Sequence, residues 1–105
     1  MDLDAMREAV REGRVRWHAH VLERMLARSI LTSDVRHVLL TGDAIEDYAD
    51  DHPFASVLLM AFCADRPLHA VVAYSPESGY AYVVTAYEPD TEHFEPDFRT
   101  RRGRG

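Results

Sequence analysis

The chain has 105 residues, 47% of them apolar and 29% charged, and a formal net charge of −6. That length suits one small domain, and that balance excludes a wholly disordered chain. The negative charge argues against a general nucleic-acid binder, whose domain is normally basic. The lone cysteine, Cys63, excludes an internal disulfide framework and any paired-cysteine zinc or redox motif.

Taken in chain order, Asp2 or Asp4 caps a first helix in which Leu3, Met6 and Val10 recur at helical spacing, and Gly13 stops it. Arg14 to Ala19 is short and ambiguous, an extended lead-in. Ala19 to Arg28 reads as a second helix with Val21, Leu22, Met25 and Leu26 on its apolar face, broken at Ser29-Ile30-Leu31. Thr32 is the expected N-cap of a third helix, whose Val35, Val38 and Leu39 face inward and which Gly42 ends at C′. The period then changes. Ala44–Tyr48, Ser56–Cys63, Leu68–Tyr74 and Tyr80–Tyr87 are short segments rich in Val, Ile, Tyr and Phe, separated by turn residues. Helices followed by a strand meander predict an α+β domain spanning residues 1–105. Two or three N-terminal helices should pack on one face of a four-stranded antiparallel sheet, with Val57–Cys63 in a central strand. Arg101 to Gly105 is expected to be a mobile tail. The longest apolar run, Val57 to Ala64, is far short of the ~20 residues of a membrane helix. The N-terminus shows no basic-then-apolar leader, so a cytoplasmic protein without a membrane partner is expected.

Charge is unevenly spread. Residues 1–42 carry seven arginines against six acids, residues 43–98 carry Arg66 alone against twelve acids, and residues 99–105 add four arginines. Every fixed cation is a guanidinium, a planar fork suited to phosphate or carboxylate. The acidic half offers a surface for a basic partner.

Histidine is the most informative residue type, because it moves a proton near neutral pH. His20, Arg24 and Arg28 stand four apart and form one stripe on a helix, where Arg would hold a phosphate and His would transfer a proton; equally, they could solvate the outer face. His69 lies inside an apolar strand. Folding the following turn so that Tyr74 faces Tyr80 places His69 opposite Thr85, with Tyr87 one step along on the same face. That cluster suits either a catalytic site or a satisfied structural one. His18 and His20 would share a strand face and could chelate zinc, but no cysteine stands near and a helix is expected there. Glu46, Asp47, Asp50 and Asp51 show no defined metal spacing, and Cys63 reads as a buried apolar residue. His37, His52 and His93 carry no distinguishing context. No cofactor or metal is expected, and no Gly-rich phosphate loop or Gly-x-Ser-x-Gly elbow is present.

His20-Val21-Leu22-Glu23-Arg24-Met25, followed by Arg28-Ser29-Ile30 and Asp34-Val35, resembles the opening of the bacterial DUF4258 domain. Gly42 to Tyr48, Arg66-Pro67-Leu68-His69 and Val84 to Asp90 are similar to its later blocks, and Phe94 to Arg101 to its ending, so the likeness spans about residues 15–102. Ser29 stands where the family usually has glycine, and Phe94 where tryptophan is common. The resemblance implies a barnase/RelE-like layout and a toxin-like, metal-independent endoribonuclease, with RNA as substrate and a cognate antitoxin as partner. His20 or His69 would be general base or acid; Arg24, with Arg28 or Arg99, would stabilise the phosphate; Thr85 and Tyr87 would orient the substrate or the histidine. The alternative is a non-catalytic interaction domain whose acidic sheet half binds a basic partner. The nuclease expectation requires His20 and His69 within reach of one phosphate.

Overall fold

Asp2 accepts the Ala5 N–H at 2.9 Å and opens helix α1, Leu3–Arg11. A short strand β1, Val15–Trp17, leads into α2, Ala19–Ala27, which is capped by His18 rather than opened by His20. Helix α3 covers Thr32–Thr41. Leu31 holds the N-cap position expected for Thr32, and its N–H is accepted by Asp34 at 3.0 Å. Four strands follow: β2 Asp43–Tyr48, β3 Ser56–Cys63, β4 Arg66–Ser75 and β5 Tyr80–Tyr87. The computed structural model describes residues 1–103. None of its helices is long and apolar enough to cross a membrane.

The fold is α+β, but the sheet has five strands, in the order β1-β5-β4-β3-β2. The expected four-stranded antiparallel sheet is therefore extended by β1, which pairs parallel to β5 through Val15↔Ala81 and Trp17↔Val83. The remaining pairs are antiparallel. The apolar strand β3 lies inside the sheet, between β2 and β4, as its continuous hydrophobic run requires.

All three helices cover one face. Met6, Val10, Val21, Met25, Val35 and Leu39 pack against Leu59, Leu68, Ala70, Val72 and Val83, all buried. Each such large side chain contributes about 1.5–3 kcal/mol when fully buried. Arg7 of α1 ties the helix layer together by donating to the Leu39 and Gly42 carbonyls at 3.0 and 2.5 Å. Gly42 ends α3 with φ −68° and ψ 155°, an extended conformation and not the left-handed C′ geometry expected. Glycine is needed there for space: a Cβ would stand 2.5 Å from the Val38 carbonyl oxygen.

The opposite face is covered by the C-terminal segment after β5. Phe94 is buried, forms a bridge with Arg101, and lies beneath the Arg101 guanidinium. Arg101 donates twice to Glu46, both at 3.0 Å, and Arg102 donates through its backbone to His93 and through its side chain to Thr91. Arg101 and Arg102, expected in the mobile tail, are thus held in place; the rest of that expectation, at residues 104 and 105, lies outside the described residues. Cys63, expected to be buried, is only half-buried, its thiol 3.5 Å from the Asp34 carbonyl and pushed up by partial burial.

Candidate functional site

Strand alternation sends Leu68 and Ala70 toward the helices and His69 to the other face, where the C-terminal segment seals it to zero exposure. His69 pairs with Tyr87, not with Thr85, which stands opposite Val71. Two departures produce this register. The turn begins with Ser75↔Tyr80, and a bulge between Val71 and Val72 leaves Val84 as an extra residue, half exposed. Together they shift the pairing by two positions, which preserves side-chain parity. His69, Thr85 and Tyr87 therefore share one face as expected.

Both imidazole nitrogens are engaged. Nε2 lies 2.6 Å from the Phe98 carbonyl oxygen and Nδ1 lies 3.2 Å from the Tyr87 hydroxyl. Phe94 meets the ring edge-on at 4.6 Å between centroids. Glu46 and Tyr48 of β2 lie on the same face, where the Tyr48 hydroxyl donates to Glu46. Burial lowers the His69 pKa below the ordinary histidine value of 6.5, partly opposed by the Phe98 hydrogen bond and the Glu46 charge. The Arg101 hydrogen bond holds Glu46 below the usual carboxylate range. Burial pushes the Tyr48 phenol up to about 12 and raises that of Tyr87.

Where β5 ends, a cleft of about 550 Å³ opens between the α2 C-terminus and the C-terminal segment. Arg28, Arg66, Tyr87, Asp90, His93 and Arg101 are among its lining residues. Arg66 is anchored: it donates to Glu88 at 2.9 Å and to the Ser29 and Arg28 carbonyls at 2.8 and 2.6 Å. Arg28 caps a β5 carbonyl left free beyond the short β1, donating Nη1 to Ala86 O at 3.0 Å. Its Nε and Nη2 have no protein partner among the described residues. His93, exposed, has Nδ1 2.9 Å from Asp90 Oδ1, a geometry in which the carboxylate orients the ring. The hydrogen bonds from His93 hold Asp90 below the usual carboxylate range.

The structure brings Arg28 and Tyr87 to this cleft and places His69 directly behind Tyr87. His20 and Arg24 lie on the exposed side of α2, one and two turns before Arg28 on the same stripe. His20 is 3.7 Å from Glu23 and stacks on His18 at 5.2 Å. It stands on the helix side of the sheet, whereas His69 lies on the other face, so the expected pairing of the two imidazoles on one phosphate does not form. Arg99 pairs with Asp43 and is not among the cleft's lining residues. His93 gave no signal in sequence beyond Asp90 three residues earlier, a spacing that becomes meaningful once the turn at Asp90 places both at the cleft.

Asp90, Glu92 and His93 could each offer a metal one atom, all within 4.8 Å of one another, but all three are exposed. Among the earlier carboxylates, Glu46 is already taken by Arg101. No curated protein and no solved structure matches the chain. The family model described as a domain of unknown function, DUF4258, matches residues 17–88, from the last residue of β1 to just beyond β5, and the chain belongs to that family.

Proposed function

We propose that the chain is a toxin-like endoribonuclease with a barnase/RelE-like layout, and that it cleaves RNA at the cleft beyond β5 using side-chain acid–base chemistry. The observation that carries this reading is the convergence on one cleft of the Arg28 guanidinium, the Tyr87 hydroxyl and an imidazole oriented by Asp90. Arg28 stabilises charge building on the phosphate, and His93 delivers a proton to the leaving oxygen. The stripe of Arg24 and His20 carries the polynucleotide over the α2 side, away from the acidic sheet edge. RNA is thus the substrate class, and a cognate antitoxin is the partner that would cover this surface.

The test is cleavage of a fluorogenic RNA oligonucleotide, with its 2′-deoxy analogue as control. Arg28→Ala and His93→Ala should each lower the rate by about 100-fold or more. Growth arrest on induced expression should be relieved by the same changes. Wild-type protein that leaves the RNA intact, or a His93→Ala variant of undiminished rate, would refute the reading.

A second reading is favoured by the sealing of His69 and its separation from His20: a non-catalytic interaction domain. Its acidic surface would be the free edge strand β2, with Asp43 and Asp47 exposed and Asp50 beyond. Salt-sensitive binding of an arginine-rich peptide, weakened by Asp47→Asn, in protein without RNA turnover would support it.

A further inference from the structure

The cleft reading assigns a proton donor for the leaving oxygen but no acceptor for the attacking hydroxyl. We propose that Tyr87 and His69 form a proton relay, with the Tyr87 oxygen receiving the proton of the attacking hydroxyl while passing its own to His69 Nδ1. The inference rests on reading the cleft as an RNA site and deepens it.

The direction of the hydrogen bonds follows from one atom. The Phe98 carbonyl can only accept, so the 2.6 Å contact fixes the proton of the neutral ring on His69 Nε2. Nδ1 is then a bare lone pair. Its partner, 3.2 Å away, is the Tyr87 hydroxyl, which must donate inward. The phenol oxygen retains acceptor capacity, and Tyr87 lines the cleft. An isolated tyrosine in a cleft would offer either a donor or an acceptor; this one is committed to accepting from the substrate. Cross-strand pairing with Tyr87 and the edge of Phe94 hold the imidazole in place.

The surroundings suit a base that is neutral before the reaction. Glu46 of β2 favours the imidazolium and Arg101 of the C-terminal segment opposes it, but the two are paired to each other at 3.0 Å, and Tyr48 donates to the same carboxylate. The neighbouring β3 positions on this face, Leu58 and Met60, carry no charge. His69 itself is fully buried, which disfavours the imidazolium in the resting state.

The step balances. The 2′-oxygen loses its proton to the Tyr87 oxygen, the Tyr87 proton passes to Nδ1, the O2′–P bond forms and the P–O5′ bond breaks. O5′ takes the proton from His93, giving a 2′,3′-cyclic phosphate and a 5′-hydroxyl. The imidazolium keeps both contacts, with the Tyr87 bond now donated from Nδ1. Solvent returns His69 and His93 to their starting states. Tyr87 is the catalytic residue of the pair; His69, acting only through it, is a positioning residue.

Nitrogen-15 NMR of histidine-labelled protein reads the tautomer without any substrate. The expected spectrum at neutral pH has His69 protonated at Nε2 and bare at Nδ1, and Tyr87→Phe should change its titration. In RNA cleavage, Tyr87→Phe should lower kcat roughly 100-fold or more with KM unchanged. Adding His69→Gln should reduce it little further, because the two act as a unit. Tyr87→Phe removes one oxygen and guards against a His69 variant that fails to fold. A ring protonated at Nδ1 at neutral pH would overturn the relay by itself. Full activity of Tyr87→Phe beside a dead Arg28→Ala would overturn the relay and leave the cleft reading standing. No cleavage by wild type would overturn both.

Discussion

Replacing Gly42 by alanine sets two effects of opposite sign against each other. With φ at −68°, alanine fits the backbone and restricts the unfolded chain, which alone would stabilise by about 0.4–1 kcal/mol. Against this, the added Cβ would lie 2.5 Å from the Val38 carbonyl oxygen, 3.1 Å from the Met60 carbonyl oxygen and 3.3 Å from the Leu59 Cβ. The first contact involves backbone that cannot rotate away. Val38 O also accepts the Gly42 N–H at 2.8 Å, and Arg7 donates to the Gly42 carbonyl, so relief by moving this residue disturbs both. Overpacking of this kind costs about 1–3 kcal/mol, and the steric effect should win by ~2 kcal/mol. For a chain this size that lowers the melting temperature by roughly 10 °C. Urea titration should show a lower midpoint with an unchanged slope. An alanine variant as stable as wild type would refute the account of why α3 can turn directly into β2.

Two further outcomes follow from local geometry and charge. Ser29 has φ +56°, so Ser29→Gly should stabilise by about 0.5–1 kcal/mol in the same titration, a loss of stability counting against it. The lowered His69 pKa means that protonation favours the unfolded chain: stability is held above pH 6.5 and falls as the pH drops through the range toward the folded-state value. Asp97, held at about 2 by the N–H groups of Thr100 and Arg99, adds a separate loss as the pH falls from its ordinary 3.8 toward that value. Denaturant midpoints between pH 7.5 and 5 should therefore fall in wild type and fall less in His69→Gln; equal slopes would remove His69 as the cause.

The three helices and four of the strands were legible because each repeats its apolar residues often enough to display a period. Ser56–Cys63 and Tyr80–Tyr87 match the observed strands end to end. Strand β1 was not, since Val15-Arg16-Trp17 is too short to show alternation and its partner is remote in sequence. The His69 register illustrates what parity preserves: two independent shifts moved the partner from Thr85 to Tyr87 yet returned the same residues to one face. The departure at Ser29 is explained, because a left-handed residue stands where the family has glycine. The stripe of His20, Arg24 and Arg28 was visible from spacing, but which side of the sheet it occupies depends on layer packing, which no local pattern encodes. The cleft combines three separate stretches of chain, and its His93 lies in a segment without periodicity.

The parallel union of β1 with β5 has a consequence for assembly. Val15 cannot find Ala81 until nearly the whole polypeptide is available, and the segment that buries His69 is later still. A nascent chain emerging from the ribosome can form its helices early but must wait for its final strand and the closing residues behind it. Synthesis thus ends at the same place as the proposed chemistry, so a message truncated before Tyr87 would yield a product with neither a closed sheet nor the cleft.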